Sequence, residues 1–141
     1  MPLSNIFIHE KINKAVDYLV PETEPHFIIL FGSAVRPSGF RQDSDIDIAF
    51  FSDRKFTPYE IFMMSQKLAE MLGQDVDLVD LKSASTVFAA QIIGTGKVIY
   101  ENNKEIRQRF QMRTLKEYAI LNEERQCIMD KIKERGYVYE K

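Results

Sequence analysis

The hydrophobic pattern of the chain switches between two repeats, and the switches predict alternating helices and strands. Apolar residues spaced by three and four positions are typical of a helix with one buried face. This spacing predicts helices over 6–19, 57–72 and 83–93. Short apolar or alternating runs, which are typical of strands, lie at 26–31, 45–51, 75–81 and 97–101. The alternation indicates an α/β or α+β domain.

Capping residues mark the ends of the second helix. Thr57 fits the N-cap, Pro58 the first helical position, and Glu60 the N3 position of a capping box. Gly73 follows the last apolar residue of the stripe and is the expected end of the helix.

The first and third helices have weaker end signals. Asn5 is the expected cap of the first helix, and Pro21 and Pro25 are expected to bracket a turn after it. The third helix is expected to break at the Gly-Thr-Gly sequence of residues 94–96.

A long polar segment after residue 101 predicts a C-terminal helix. Asn102 or Asn103 would cap it, and Gly136 can terminate it. Its apolar positions approximate a helical stripe: Ile106, Phe110, Tyr118, Leu121, Ile128 and Ile132. We expect this helix to cover the sheet, and part of its charged surface can dock a partner.

Length and charge restrict the class of protein. The 141 residues favour a single domain, 1–141, with a core over 1–101 and a C-terminal helical segment over 102–141. The net charge of −2 offers no electrostatic case for direct nucleic-acid binding. The single cysteine excludes an internal disulfide, which suits a reducing cytosol. No apolar run is long enough to span a membrane, so we expect a cytoplasmic protein.

Two polar motifs follow the start of the predicted sheet. The first strand ends at Gly32, where the missing Cβ lets a ligand approach the backbone, and Ser33 adds a hydroxyl and an N–H. Asp45 and Asp47 are two residues apart on the next strand, so both carboxylates point to one face. Mg²⁺ commonly takes carboxylates together with substrate phosphates as ligands. The pattern predicts a site for a nucleoside triphosphate and a metal.

Gly32-Ser33, eleven further residues and Asp45-x-Asp47 resemble the signature of the DNA polymerase β-type nucleotidyltransferase superfamily. The spacer is one residue longer than is common in the minimal members, and a loop can absorb that residue. The resemblance implies an α+β (α/β-like) fold, with a small mixed sheet flanked by helices. It also implies a third carboxylate on the strand after the second helix, where Asp77 matches by position. Asp75, which shares the same strand face, is the alternative.

The resemblance further implies transfer of a nucleoside monophosphate from ATP. Two Mg²⁺ ions would be held by the three carboxylates, and Asp77 would hold the ion that activates the acceptor hydroxyl. The Gly32–Ser33 turn would bind the outer phosphates. Arg36 and Arg41 are candidates for contacts with the triphosphate, or they are solvated arginines on a loop.

The minimal members of the superfamily imply a protein as the acceptor. Many are MNT antitoxins paired with a HEPN-domain ribonuclease toxin, and one kind adenylylates a tyrosine of that toxin. The C-terminal stretch 117–139 resembles this type. We therefore expect an antitoxin that transfers AMP from ATP to a toxin tyrosine within a hetero-oligomer. Two alternatives stay open: a nucleotidyltransferase for small molecules such as aminoglycosides, and an antitoxin that acts by binding alone.

Overall fold

A computed structural model describes the backbone over residues 2–35 and 44–139 and the side chains over 8–35 and 44–131. The chain starts with α1 (Pro2–Thr23), β1 (Pro25–Phe31) and a 3₁₀ turn (Gly32–Val35). It continues with β2 (Ile46–Ser52), α2 (Pro58–Leu72) and β3 (Val76–Asp80). The last elements are α3 (Thr86–Thr95), β4 (Lys97–Glu101) and α4 (Lys104–Tyr139).

The strands of the described chain form one mixed sheet in the order β3-β2-β1-β4. β1 runs antiparallel to both β2 and β4, whereas β2 runs parallel to β3. Parallel neighbours need a crossover connection, and α2 supplies it here. The mixed sheet with its flanking helices confirms the predicted fold class, and β4 lies at an edge of the sheet.

Helices cover both faces of the sheet, so the central strands are buried on both sides. One core cluster joins the sheet to α1 and α2 through residues such as Ile28 and Ile48. The second cluster joins the opposite face to α3 and α4 through Phe27, Ala49 and Phe110, among others. Successive strand residues point to opposite faces. The odd-numbered residues of β1 and β2 therefore point to the second face, which we call the α3/α4 face.

The predicted ends of α2 are confirmed. The Thr57 hydroxyl accepts the Glu60 N–H at 3.1 Å, and the Glu60 carboxylate accepts the Thr57 N–H at 2.8 Å. These two bonds form the capping box. Gly73 ends the helix in the left-handed conformation, with φ +72°.

The helix α1 extends further than predicted in both directions. Asn5 lies inside it and is not its cap, and Pro21 lies in its last turn rather than in a turn beyond it. The helix ends at the left-handed Glu24 (φ 47°), whose N–H donates to the Val20 carbonyl at 3.0 Å. This bond satisfies one of the terminal carbonyls of the helix.

The helix α3 begins later and ends later than predicted. Ser85 is its N-cap and accepts the Phe88 N–H at 3.1 Å. Gly94 lies inside the helix, which ends where the Gly96 N–H donates to the Ile92 carbonyl at 2.7 Å. A glycine inside a helix costs only about 1 kcal/mol, so Gly94 alone does not end this helix.

The helix α4 follows only part of its prediction. The Asn103 side-chain oxygen accepts the Ile106 N–H at 3.1 Å, so Asn103 is the cap. Gly136 does not terminate the helix, which runs on to Tyr139. The first half covers the sheet and buries Thr114, but residues 122–131 are all exposed. Like the other described helices, α4 lacks the apolar length needed to cross a membrane.

Candidate active site

The backbone turns sharply where β1 ends. Gly32 has a φ of +74°, a left-handed conformation that residues with a Cβ rarely adopt. It opens the 3₁₀ turn, whose residues are half-buried. Ser33 therefore lies in a single tight turn and does not begin an α-helix.

The missing side chain of Gly32 leaves room for the carboxylate of Asp47. A Cβ at Gly32 would overlap Oδ2 of Asp47 and lie 3.0 Å from its Cγ. The pairing of β1 with β2 explains this contact, because Phe31 is the register partner of Asp47. Gly32 is thus required both by its own backbone conformation and by the close approach of Asp47.

Strand register brings two of the predicted acids side by side. In the parallel pairing of β2 with β3, Asp47 is the partner of Asp77. Asp45 lies directly before β2 and points to the same face by strand alternation. Asp75 lies before the start of β3, and its carbonyl accepts the Ile46 N–H at 2.9 Å. The register therefore places Asp77, and not Asp75, directly beside Asp47.

The surroundings of Asp47 favour its neutral form. Burial, followed by the nearby charges of Asp77 and Asp45, raises the pKa of Asp47 to about 6. The charge contributions show that the three acids interact electrostatically. Mutual repulsion of this kind is relieved when a cation binds between the carboxylates.

The three carboxylates share one face, but their oxygens do not converge on a single point. Among the described side chains of residues 8–35 and 44–131, no three of His, Cys, Asp and Glu lie close enough to hold a metal ion as they stand. Asp45 and Asp77 are exposed, so rotation of their side chains can bring them toward Asp47. A set of three carboxylates suits a hard cation such as Mg²⁺.

A chain of hydrogen bonds holds the segment that leads into β2. The Gln74 amide donates to the Ser44 carbonyl, and the Lys11 ammonium of α1 donates to the Gln74 side-chain oxygen. Together with the bond from Ile46 to Asp75, these contacts fix the backbone on both sides of the first acid of the pair. Sequence reasoning missed Gln74, because a glutamine in a polar connection carries no local signal of this role.

An aromatic side chain, Phe88, packs against the strand residue that pairs with Asp47. Its ring meets Phe31 edge-on, with the ring centroids 6.0 Å apart, and Phe31 pairs with Asp47. Phe88 belongs to α3, and 37% of it is exposed. Phe88 thus forms a partly open apolar wall next to the site, which only its tertiary position reveals.

Three other polar residues either lie apart from this group or fall outside the described residues. Arg36 and Arg41 fall outside the described residues, and their contacts with a triphosphate stay predictions. Asp80 lies on the opposite face of β3 from Asp77 and accepts the Lys82 N–H at 3.0 Å. Burial raises the pKa of Asp80. It caps the end of the strand and does not join the carboxylate group.

Sequence comparison places this site in a known family. Residues 13–105 match the family described as Polymerase beta, Nucleotidyltransferase. The chain is also 37% identical over 122 residues to the protein adenylyltransferase MntA of Shewanella oneidensis MR-1. That match covers 86% of this chain and 85% of the relative.

Solved structures show the same similarity in three dimensions. A toxin–antitoxin crystal structure with AMP-PNP contains a chain that is 36% identical, with a TM-score of 0.74, covering 87% of this chain and 96% of that chain. A tri-AMPylated Shewanella oneidensis HEPN toxin in complex with MNT antitoxin gives 34% identity and a TM-score of 0.74, covering 88% and 97%. The chain therefore belongs to the polymerase β-type nucleotidyltransferase family and, within it, to the MntA-type protein adenylyltransferases.

Proposed function

We propose that this chain is an antitoxin that transfers AMP from ATP to a tyrosine hydroxyl of a HEPN ribonuclease toxin and thereby neutralises it. The observation that carries the proposal is the Asp47 carboxylate, held against Gly32 and paired with Asp77 across two parallel strands. The related antitoxin named as a protein adenylyltransferase supports a protein acceptor. ATP as the donor suits a reaction in the cytoplasm.

The three carboxylates would bind the metal ions that accompany the triphosphate. We assign Asp45 and Asp47 as ligands of both Mg²⁺ ions, and Asp77 as a ligand of the ion near the acceptor hydroxyl. When bound, Mg²⁺ would supply charge neutralisation for the attacking and leaving oxygens of an in-line displacement. The raised pKa of Asp47 supports this assignment, because a carboxylate that is partly buried and lies beside other carboxylates is costly to ionise without a counter-charge.

The turn after β1 would hold the outer phosphates of ATP. The Gly32 and Ser33 N–H groups and the Ser33 hydroxyl are the donors offered there, and Gly32 lets the phosphates approach the backbone. Arg36 and Arg41 remain predicted contributors from the undescribed segment. Phe88 offers an apolar wall on the same side of the site.

The transfer step then follows from this placement. The tyrosine oxygen attacks the α-phosphorus of ATP, and a new O–P bond forms as the bond to the bridging oxygen of pyrophosphate breaks. The proton of the tyrosine hydroxyl passes to Asp77 or to solvent. Pyrophosphate leaves, and the toxin carries AMP as a phosphodiester.

Intact-mass spectrometry of the toxin tests the proposal. Toxin co-expressed with the wild-type chain should gain the mass of AMP, and toxin co-expressed with the Asp45→Asn/Asp47→Asn variant should not. Because the variant loses only like charges that repel one another, it should fold and still co-purify with the toxin.

Two outcomes would contradict the proposal in different ways. Rescue of toxin-expressing cells by the double variant would show that binding alone neutralises the toxin. An unmodified toxin, combined with AMP transfer to an aminoglycoside, would show a small-molecule enzyme.

A further inference from the structure

A groove on the α3/α4 face lies outside the carboxylate site. It consists of two adjoining cavities of about 210 Å³ and about 100 Å³. The cavities share three lining residues, Phe51, Phe110 and Arg113. Thr86 of α3 closes one side of the larger cavity, and Arg109 lines the smaller one.

The groove opens on the same face of the sheet as the candidate active site. Asp47, Ala49 and Phe51 alternate along β2, so their side chains point to one face, and Ala49 and Phe51 belong to the core cluster of that face. Four residues of strand span about 13 Å from Asp47 to Phe51. The groove therefore begins within reach of a molecule that is attached to an acceptor at the carboxylates.

Aromatic rings form the floor of the groove. The Phe51 and Phe110 ring centroids lie 4.6 Å apart, and Phe27 supports both from below at 5.6 and 5.7 Å. Phe51 and Phe110 are each only half-buried. A partly exposed aromatic floor is the type of surface on which nucleobases stack, at about 1–3 kcal/mol per base.

Two arginines provide positive charge at the rim. Arg109 and Arg113 are one helical turn apart on α4, and both are exposed. Among the described residues, neither forms an ion pair with an acid. The residues that line the two cavities also include Lys82 and one acid, Glu117, so the rim carries a net positive charge. Guanidinium groups are well suited to bind phosphate oxygens.

We propose that this groove binds the AMP unit already attached to the toxin, with its base on the aromatic floor and its phosphate at Arg109 and Arg113. The inference rests on the proposed function. It gives a structural reason for repeated addition, since the toxin in a related complex is tri-AMPylated. The expected ligand is an adenylate, either a single AMP unit or the last unit of a short chain of AMP units.

Held in this way, the attached AMP presents its own ribose hydroxyl as the next acceptor. That hydroxyl attacks the α-phosphorus of a new ATP, and a new O–P bond forms. The bond from that phosphorus to pyrophosphate breaks, the hydroxyl proton passes to a carboxylate or to solvent, and pyrophosphate leaves. The product is one AMP unit longer.

A time course of intact toxin mass, with purified full-length protein, ATP and Mg²⁺, tests the groove. In Arg109→Ala/Arg113→Ala, we expect the first addition to proceed within twofold of the wild-type rate. The second and third additions should slow at least tenfold. Lys104→Ala/Lys116→Ala is the matched control, because it removes the same charge from exposed positions of α4 that do not line the cavities. All additions should stay normal in this control.

Binding of the diadenylate pApA in EDTA provides a second measurement, since without metal the carboxylates should not hold its phosphates. The affinity of the protein for pApA should fall at least tenfold in the arginine variant and stay unchanged in the lysine control.

Equal slowing of all additions in the arginine variant would overturn the inference, because the groove would then hold the unmodified toxin. Unchanged additions would also overturn it. A wild-type chain that adds only one AMP would overturn the groove's role but leave the proposed function standing, whereas a chain that adds none would refute the proposed function itself.

Discussion

At the scale of single residues, the site depends on one close contact. Gly32 is left-handed, and the space where its side chain would be is filled by the carboxylate of Asp47. Gly73 shares the left-handed φ, but a Cβ there would meet nothing within 4 Å.

The two glycines offer a matched pair of substitutions. Gly32→Ala should lower AMP transfer by about 100-fold or more, because the methyl group must displace the Asp47 carboxylate and catalytic geometry is sensitive to shifts of about 1 Å. Gly73→Ala should cost about 1–2 kcal/mol of stability through its strained backbone. Its transfer rate, measured at a temperature where both proteins are folded, should match wild type. Equal activity in the two variants would show that Asp47 need not occupy its present position.

The raised pKa of Asp47 makes a prediction about stability and pH. An aspartate that titrates near 3.8 when unfolded and near 6 when folded binds more protons in the folded state between those values. Its contribution to folding stability is therefore fully present below about pH 4 and is lost as the pH rises through about 6. In metal-free buffer, Asp47→Asn should be more stable than wild type at pH 7, and the difference should shrink toward pH 4.

Urea unfolding at several pH values measures this effect. Saturating Mg²⁺ at pH 7 should raise the stability of wild type and leave Asp47→Asn nearly unchanged, because bound metal compensates the repulsion. A difference between the two proteins that does not change with pH would contradict the assigned titration.

At the scale of elements, the contact between α3 and the sheet depends on Gly96. A Cβ at this position would overlap the Ile29 side chain and lie 3.1 Å from the Leu30 carbonyl. Glycine therefore lets the end of α3 lie directly on β1. Gly94, two residues earlier, is exposed, and a Cβ at that position would have no heavy atom within 4 Å.

These neighbouring glycines should respond to alanine in opposite directions. Gly96→Ala should destabilise the protein by about 1–3 kcal/mol, because the added methyl group overpacks the junction with β1. Gly94→Ala should stabilise it by about 0.5–1 kcal/mol, because alanine is the better helix former. Chemical denaturation of both variants and of wild type measures the change in the free energy of unfolding. Destabilisation by Gly94→Ala would show that the residue is not an ordinary helical position.

At the scale of the whole molecule, α4 extends beyond the core that it helps to build. Its 36 residues span about 54 Å, and one helical face carries Phe110, Leu121 and Ile128. Phe110 packs on the sheet, whereas Ile128 is 58% exposed. The face that is buried in the first half of the helix is thus exposed in the described part of the second half, residues 122–131.

We expect the toxin to cover this continued face, because similar antitoxin chains occur in toxin–antitoxin structures. Ile128→Asp should weaken toxin binding at least tenfold while changing stability by no more than about 0.5 kcal/mol, as is usual for exposed positions. Asn122→Asp is the control, since it adds the same charge on another side of the exposed half. Calorimetry gives the affinities, and equal binding by both variants would place the toxin elsewhere.

Local patterns along the chain determined much of this protein. Hydrophobic spacing predicted the helices and strands, and capping residues predicted both ends of α2, because these signals depend on neighbours within a few positions. The Gly-Ser turn and the Asp45–Asp47 pair could be identified for the same reason. The limits of α1, α3 and α4 were wrong by several residues, because helix ends also depend on bonds such as that from Glu24 to Val20.

Only the tertiary structure decided how the candidate site is assembled. The position of Asp77, and not Asp75, beside Asp47 follows from the register of β2 and β3, and the contact of Gln74 with the segment before β2 follows from its bond to Ser44. The contact of Gly32 with Asp47 and the position of Phe88 beside Phe31 likewise join distant parts of the chain. Strand register and helix docking are set by pairing and packing between segments far apart in sequence, so no local pattern contains them.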